Sequence, residues 1–78
     1  MFQCLIISPS FKKEYSSLNS VFLPTKNGGL EILNNHGDMF VILVRGNLVL
    51  KQGKKLFNFF ISETALASFK DNKLFIVL

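Results

Sequence analysis

The stretch that decides the fold covers residues 22–46 and reads FLPTKNGGLEILNNHGDMFVILVRG. Short apolar runs alternate in it with clusters of Pro, Gly and Asn, which favour turns. Residues 24–29 predict one tight turn and residues 34–38 a second, with a brief strand over residues 30–33 between them. Residues 39–44 are apolar throughout, which predicts a central strand covered on both faces of the sheet.

The same alternation of strands and turns continues towards both ends of the chain. Residues 2–7, 56–61 and 74–78 are apolar runs with turn signals beside them. Alternating residues over 13–23 predict a long, half-exposed strand that Pro24 ends, and residues 45–47 predict a hairpin. Helical spacing of apolar residues is not sustained anywhere. The pattern therefore predicts an all-β fold, a sandwich or a barrel, in a single domain of residues 1–78.

The composition indicates an exposed apolar surface. Hydrophobic residues make up 49% of the 78 residues and include nine Phe. A chain this short buries only about 60% of the surface of its unfolded form, so its core cannot hold all of these side chains. Large exposed apolar patches usually mark interfaces. We therefore expect a subunit of an assembly.

The charges and the cysteine count narrow the function classes. The net charge is +4, and eight of the nine basic residues are Lys scattered along the chain. Scattered Lys is typical of solvated strand ends, whereas a nucleic-acid site would favour clustered Arg. The single cysteine, Cys4, excludes an internal disulfide and is interpreted as a small buried side chain. The longest apolar run, residues 39–44, is too short to span a membrane, so we expect a soluble or peripheral protein.

No group of residues predicts catalysis, a metal site or a cofactor site. His36 is the only histidine and has no ligand spacing or nucleophile around it, so we interpret it as a turn residue that donates to a backbone carbonyl. Gly28 and Gly29 are not followed by the residues of a phosphate loop. In residues 54–60, KKLFNFF, the Phe side chains could stack on nucleic-acid bases. The favoured interpretation is that Phe57 and Phe59 fill the core while Phe60 points outward.

Residues 23–36, LPTKNGGLEILNNH, resemble the LP–Gly-loop–IL–PGH signature of the ATP synthase epsilon subunit (delta in mitochondrial nomenclature). LIIS at 5–8, VFLP at 21–24 and FFISETALASFKDNKLFIVL at 59–78 are similar to other strands of that family. The resemblance covers nearly the whole chain. The chain departs from the family pattern at Asn34-Asn35 in place of Pro-Gly, and also at Glu31, Asp38 and Glu63-Thr64.

The resemblance implies a small antiparallel β-sandwich of about ten strands at the foot of the central stalk. Such a subunit binds gamma and the c-ring, couples rotation to ATP synthesis, and has no active site or cofactor of its own. It would lie peripherally on the cytoplasmic side of the plasma membrane, or on the matrix side if organellar. The residues that match the c-ring loop are Lys26, Asn27, Gly28, Gly29 and Glu31. The residues that match the gamma-facing segment are His36, Met39, Phe40 and Ile42.

Two further expectations complete the prediction. Members of the family usually carry a C-terminal helical hairpin that brakes ATP hydrolysis, and this sequence stops at Leu78, where the sandwich would end. The hairpin is therefore expected to be absent, and no inhibitory or ATP-binding role is carried over. The alternatives are a small β-barrel that binds single-stranded nucleic acid through Phe and Lys, and a piece of a larger enzyme.

Overall fold

The protein is built entirely from β-strands. A computed structural model describes residues 1–78 and contains nine strands and no helix. The strands are β1 (Phe2–Ile7), β2 (Lys12–Leu18), β3 (Ser20–Thr25), β4 (Gly28–Leu33), β5 (Met39–Leu43), β6 (Gly46–Gln52), β7 (Lys55–Ile61), β8 (Ala65–Lys70) and β9 (Lys73–Val77). The predicted all-β class is confirmed, with nine strands in place of about ten. Because there is no helix, there is none long and apolar enough to cross a lipid bilayer.

The nine strands form one hydrogen-bonded sheet. Eight of them follow the order β2-β1-β9-β8-β5-β3-β6-β7, and β4 pairs with β3 beside this path. All pairs are antiparallel except β1 with β9, which run parallel. The expectation of a purely antiparallel arrangement is corrected at this pair. Parallel neighbours need a long connection between them, and β1 and β9 have seven strands between them in the chain.

Strand β3 is where the sheet folds over on itself. One edge of β3 pairs with β4 along its whole length. The other edge is divided, because Ser20 to Phe22 pair with β6 whereas Thr25 pairs with Leu43 of β5. The sheet therefore curls into a five-stranded half, β2-β1-β9-β8-β5, and a four-stranded half, β4-β3-β6-β7. The Thr25–Leu43 pair is the one ladder contact between β3 and β5.

One hydrophobic core fills the inside of the curl, and every strand contributes to it. The buried residues are Phe2, Cys4, Ile6, Leu18, Val21, Leu23, Ile32, Leu43, Leu48, Leu50, Ile61, Ala65, Ala67, Phe69, Leu74 and Ile76. They alternate with outward-pointing residues, as the two-residue period of a strand requires. Cys4 is buried as predicted, and desolvation raises the pKa of its thiol from 9.0 to about 12. The thiol therefore stays protonated, which makes it a packing group and not a nucleophile.

The long strand predicted over residues 13–23 is in fact two strands. Strand β2 belongs to the five-stranded half and β3 to the other, so the chain changes halves between them. A bulge, at which Ser17 takes a φ of 53°, precedes the break. Asn19 holds the corner, because its N–H donates to the Lys51 carbonyl at 2.8 Å and its Oδ1 accepts from the Gly53 N–H at 2.6 Å.

Two other local predictions are wrong. Pro24 lies inside β3 and does not end it. Pro24 lies between the residues of β3 that pair with β6 and the one that pairs with β5, so its missing N–H breaks no ladder bond. Its carbonyl accepts from the Val44 N–H at 3.0 Å. Residues 45–47 do not form a hairpin, because β5 and β6 pair with other strands and not with each other.

Candidate docking surface

Strand β5 presents two large apolar side chains to solvent. Phe40 is 69% exposed and Ile42 is 50% exposed, whereas Met39 and Val41 pack against the core and Leu43 is fully buried. The prediction that β5 is covered on both faces is wrong for this chain alone. The strand is apolar on both faces, and only the inner face is covered within the chain.

The register of the sheet places other apolar side chains beside Phe40 and Ile42. One row crosses β5, β8, β9 and β1 through Ile42, Leu66, Val77 and Ile7. The next row crosses the same strands through Phe40, Ser68, Phe75 and Leu5. We call these eight residues the apolar face. Leu66 and Val77 are 40% and 46% exposed. None of the eight side chains is charged, and the Lys73 ammonium borders the face, 5.9 Å from the centre of the Phe75 ring.

Sequence reasoning missed six of the eight residues of the apolar face, all of them outside residues 22–46. The six are Leu5, Ile7, Leu66, Ser68, Phe75 and Val77. A usable signal was present for β1 and β9, since both are apolar at consecutive positions and a strand that is half exposed should alternate. The order of the strands in the sheet could not be predicted from the sequence, and only this order brings these residues next to β5.

The predicted Gly loop, residues 26–29, joins β3 to β4. Lys26 and Asn27 form its exposed tip, and Gly28 follows with a φ of 109°, which side chains rarely tolerate. The Thr25 hydroxyl donates to the Gly28 carbonyl and closes the turn. Glu31 is not part of the tip, because it pairs with Phe22 further along β4.

Gly29 has a different role from Gly28. The ring of Phe22 lies over Gly29 in the space that a Cβ would occupy. Phe22 is 45% exposed, yet one side of its ring is used to cover the backbone of β4. This position therefore needs Gly because of packing and not because of φ.

The Gly loop and strand β5 share a groove. Thr25, Lys26 and Asn27 line one side, and Phe40, Val41 and Ile42 line the other, around a volume of about 330 Å³. Parts of the two sets that the sequence predicted for different partners are therefore neighbours, since Lys26 and Asn27 face the same groove as Phe40 and Ile42. Glu31 and His36 do not line it. A single protein element lying in this groove would touch both sets.

His36 lies in the turn between β4 and β5, half-buried and turned towards the core. Its Nδ1–H donates to the Gly37 carbonyl at 2.8 Å, as the sequence predicted. Its ring packs edge-on against Phe69, with centroids 5.8 Å apart. His36 therefore lies at one end of β5, beside the apolar face and not on it. No group of three or more His, Cys, Asp or Glu side chains is placed to hold a metal ion.

The Phe side chains do not form a stacking platform. Phe57 and Phe59 pack against the core and Phe60 is 52% exposed, as predicted. Phe11 and Phe60 line one pocket together with Phe59, but the other exposed Phe side chains lie elsewhere, Phe22 on β3 and Phe40 on the apolar face. Single-stranded nucleic acid is bound by aromatic side chains that follow one groove, and this distribution does not favour it.

Comparison with known proteins finds similarity in the fold and not in the sequence. The fold is similar to that of a chain in the cryo-EM structure of the Tetrahymena thermophila mitochondrial ATP synthase, central stalk and c-ring, with a TM-score of 0.81. The two sequences are 14% identical, and the match covers 97% of this chain but 61% of that chain. No protein-family model and no curated protein matches the sequence. At this identity the similarity establishes a shared fold.

Proposed function

We propose that this protein is a central-stalk (rotor) subunit of a proton-translocating ATP synthase, which joins the gamma subunit to the c-ring and helps to couple proton flow to ATP synthesis. The observation that carries the proposal is the apolar face. On the neighbouring strands β5, β8 and β9 it has four large apolar side chains that stay 40–69% exposed, next to the loop that the family resemblance assigns to the c-ring. They are Phe40, Ile42, Leu66 and Val77. The fold shared with a chain of an ATP synthase central stalk supports the same assignment.

The apolar face suits a tight partner such as gamma. Fully burying an exposed Phe or Leu side chain stabilises a complex by about 1.5–3 kcal/mol, and Phe40 and Ile42 are at least half exposed in the free chain. An aromatic residue that enters a partner's pocket is a common hot spot. We therefore assign Phe40 and Ile42 to the gamma contact, together with Leu66 and Val77, while His36 and Met39 support β5 from behind.

The Gly loop suits a polar and weaker contact. Lys26 and Asn27 are exposed at the tip and carry hydrogen-bond donors and one positive charge. Such a tip can dock on the polar loops of a c-ring without burying apolar surface. Because the loop and β5 share a groove, the two partners would meet at the same side of this subunit, which is the geometry a bridging subunit needs.

Co-purification tests the proposal. A tagged copy of the chain, expressed in its native cells, should bring down gamma and the c-ring from solubilised membranes and should sediment with those membranes. Tagged Phe40→Asp should bring down less gamma, whereas Leu56→Asp, equally exposed but on the other half, should behave like the wild type. A wild-type chain that recovers neither gamma nor the c-ring would show that the proposal is wrong.

A further inference from the structure

Asn72 ties together three segments that lie far apart in the sequence. It lies in the two-residue turn between β8 and β9, where Asp71 and Asn72 have φ values of 51° and 58°. Its Oδ1 accepts from the Asn35 N–H at 2.8 Å. Its Nδ2 donates to the Met1 carbonyl at 3.1 Å and to Asn34 Oδ1 at 3.0 Å.

The orientation of this side-chain amide is determined by its partners. The Met1 carbonyl can only accept and the Asn35 N–H can only donate. The reverse orientation would place the amide nitrogen against an N–H and its oxygen against a carbonyl. Asn72 therefore uses both of its N–H donors and its oxygen, which links the start of β1 and the β8–β9 turn to the β4–β5 connection.

The β4–β5 connection needs such a support. Asn35 takes a φ of 61° in a turn that the His36 N–H closes on the Leu33 carbonyl at 3.1 Å. Asn tolerates this conformation better than most residues. Neither Asn34 nor Asn35 supplies the rigidity that Pro gives to a turn. Two of the three bonds of Asn72, those to the Asn35 N–H and to Asn34 Oδ1, hold this turn from outside.

We propose that Asn72 is a positioning residue, which holds residues 34–38 and thereby orients the start of β5 for partner binding. The proposal rests on the function proposed above. Strand β5 pairs with β8 along its length but with β3 only at its far end, through Leu43. The end that carries Phe40 therefore has a strand beside it on one edge only, and the preceding turn is its second support. A held Phe40 loses less freedom on binding, and pre-organisation of this kind raises affinity.

Asn72→Gly is the informative variant, because Gly keeps the positive φ of the turn and removes only the amide. Asp71→Gly is its matched control: it changes the neighbouring residue of the same turn, which also has a positive φ and whose side chain takes no part in the three bonds. Asn72→Asp is the conservative variant, since it keeps an acceptor for the Asn35 N–H and removes both donors.

The readouts are amide hydrogen exchange across residues 34–40 of the full chain and its affinity for purified gamma. In Asn72→Gly we expect Asn35 to exchange about three- to tenfold faster and gamma to bind about three- to tenfold more weakly, the range for one net hydrogen bond. Asp71→Gly should leave both unchanged, and Asn72→Asp should fall between the wild type and Asn72→Gly in Asn35 exchange.

Each outcome has a separate meaning. Equal exchange in the two Gly variants would overturn the role of Asn72. Faster exchange without weaker binding would overturn its role in positioning, while the rotor assignment would stand. If the wild type does not bind gamma, the proposed function fails, and so does the positioning role that rests on it, even where the exchange data show that Asn72 holds the turn.

Discussion

The outer faces of the two halves of the curled sheet expose large apolar side chains to a similar extent but arrange them differently. On the five-stranded half, apolar side chains are neighbours across four strands, in two rows without a charge. On the four-stranded half, which we call the mixed face, Phe22 has Glu31 and Val49 beside it, and Ser20 has Leu33 and Lys51. The largest exposed side chains on the mixed face are Phe22, Leu33, Leu56 and Phe60, at 45%, 54%, 63% and 52%.

The difference concerns the large exposed side chains, because two of those on the mixed face have contacts within the chain. Phe22 covers Gly29, and the Arg45 guanidinium lies 5.6 Å from the centre of the Phe60 ring. The corresponding contact on the apolar face, of the Lys73 ammonium at 5.9 Å, is made by the half-buried Phe75. On the apolar face, Phe40 and Ile42 border the groove beside the Gly loop, and nothing in the chain covers them. Exposure alone therefore does not identify an interface. An interface is identified better by exposed apolar residues that are neighbours of one another and have no partner within the chain.

The largest effect is expected for a charge in the apolar face. Phe40→Asp should weaken gamma binding by about 3 kcal/mol or more, over a hundredfold in Kd, because it removes a central aromatic contact and buries a carboxylate. Titration calorimetry measures the affinity. The free energy of unfolding should change little, since Phe40 is 69% exposed. Leu56→Asp, on the mixed face, should leave the affinity unchanged, and equal losses in both variants would remove the distinction between the faces.

The next largest effect belongs to the mixed face and concerns stability. Gly29→Ala should lower the free energy of unfolding by about 2 kcal/mol, because the new Cβ would displace the Phe22 ring. Gly37→Ala is the control, since a Cβ there meets nothing within 4 Å. Denaturant unfolding measures both variants. Adding Phe22→Ala to Gly29→Ala should recover part of the loss, and a loss without recovery would contradict the assigned contact.

A smaller effect is expected on β8, where no local pattern of the sequence predicted an interface. Leu66→Ser should weaken gamma binding about tenfold, because one partly exposed Leu no longer buries its side chain. Leu33→Ser makes the same change on the mixed face and should have no effect on affinity. If both variants bind gamma like the wild type, the gamma contact does not extend beyond β5.

The smallest effect lies in the core beneath both faces. The raised pKa of Cys4, about 12, means that above pH 9 the unfolded thiol loses its proton while the folded one keeps it, so its contribution to stability falls as the pH rises. The difference in unfolding free energy between wild type and Cys4→Ala should be constant up to about pH 8 and shrink above pH 9. If the difference does not shrink above pH 9, the pKa of the folded thiol is not raised and Cys4 is less buried than the structure shows.

Local patterns predicted most of the strands and several turns correctly, but not the break between β2 and β3. Gly53, with a φ of 59°, and the pair Asp71 and Asn72 turn where the sequence placed turns. The inward direction of Phe57 and Phe59 also followed from their period of two. These features depend on neighbours within a few residues. The passage of the chain from one half of the sheet to the other at Asn19 does not depend on near neighbours, because it is caused by the different pairing partners of β2 and β3.

The candidate site shows the same limit. Phe40 and Ile42 were named from the sequence, and the structure exposes both. Leu66 and Val77 became their neighbours only through the strand order β9-β8-β5, which no local pattern contains. Glu31 was grouped with the loop tip because it is near in sequence, and the pairing of β4 with β3 moves it onto the mixed face.

The parallel pairing of β1 with β9 has a consequence for how the chain is made. During synthesis Phe2, Cys4 and Ile6 emerge before the other eight strands, yet the strand beside them ends at Val77. A nascent chain therefore cannot close its core until almost all of these residues have emerged. Contacts between the two ends of a chain carry the largest loop-closure cost and slow folding. During that interval the apolar strand β1 is open to chaperones or to other unfinished chains.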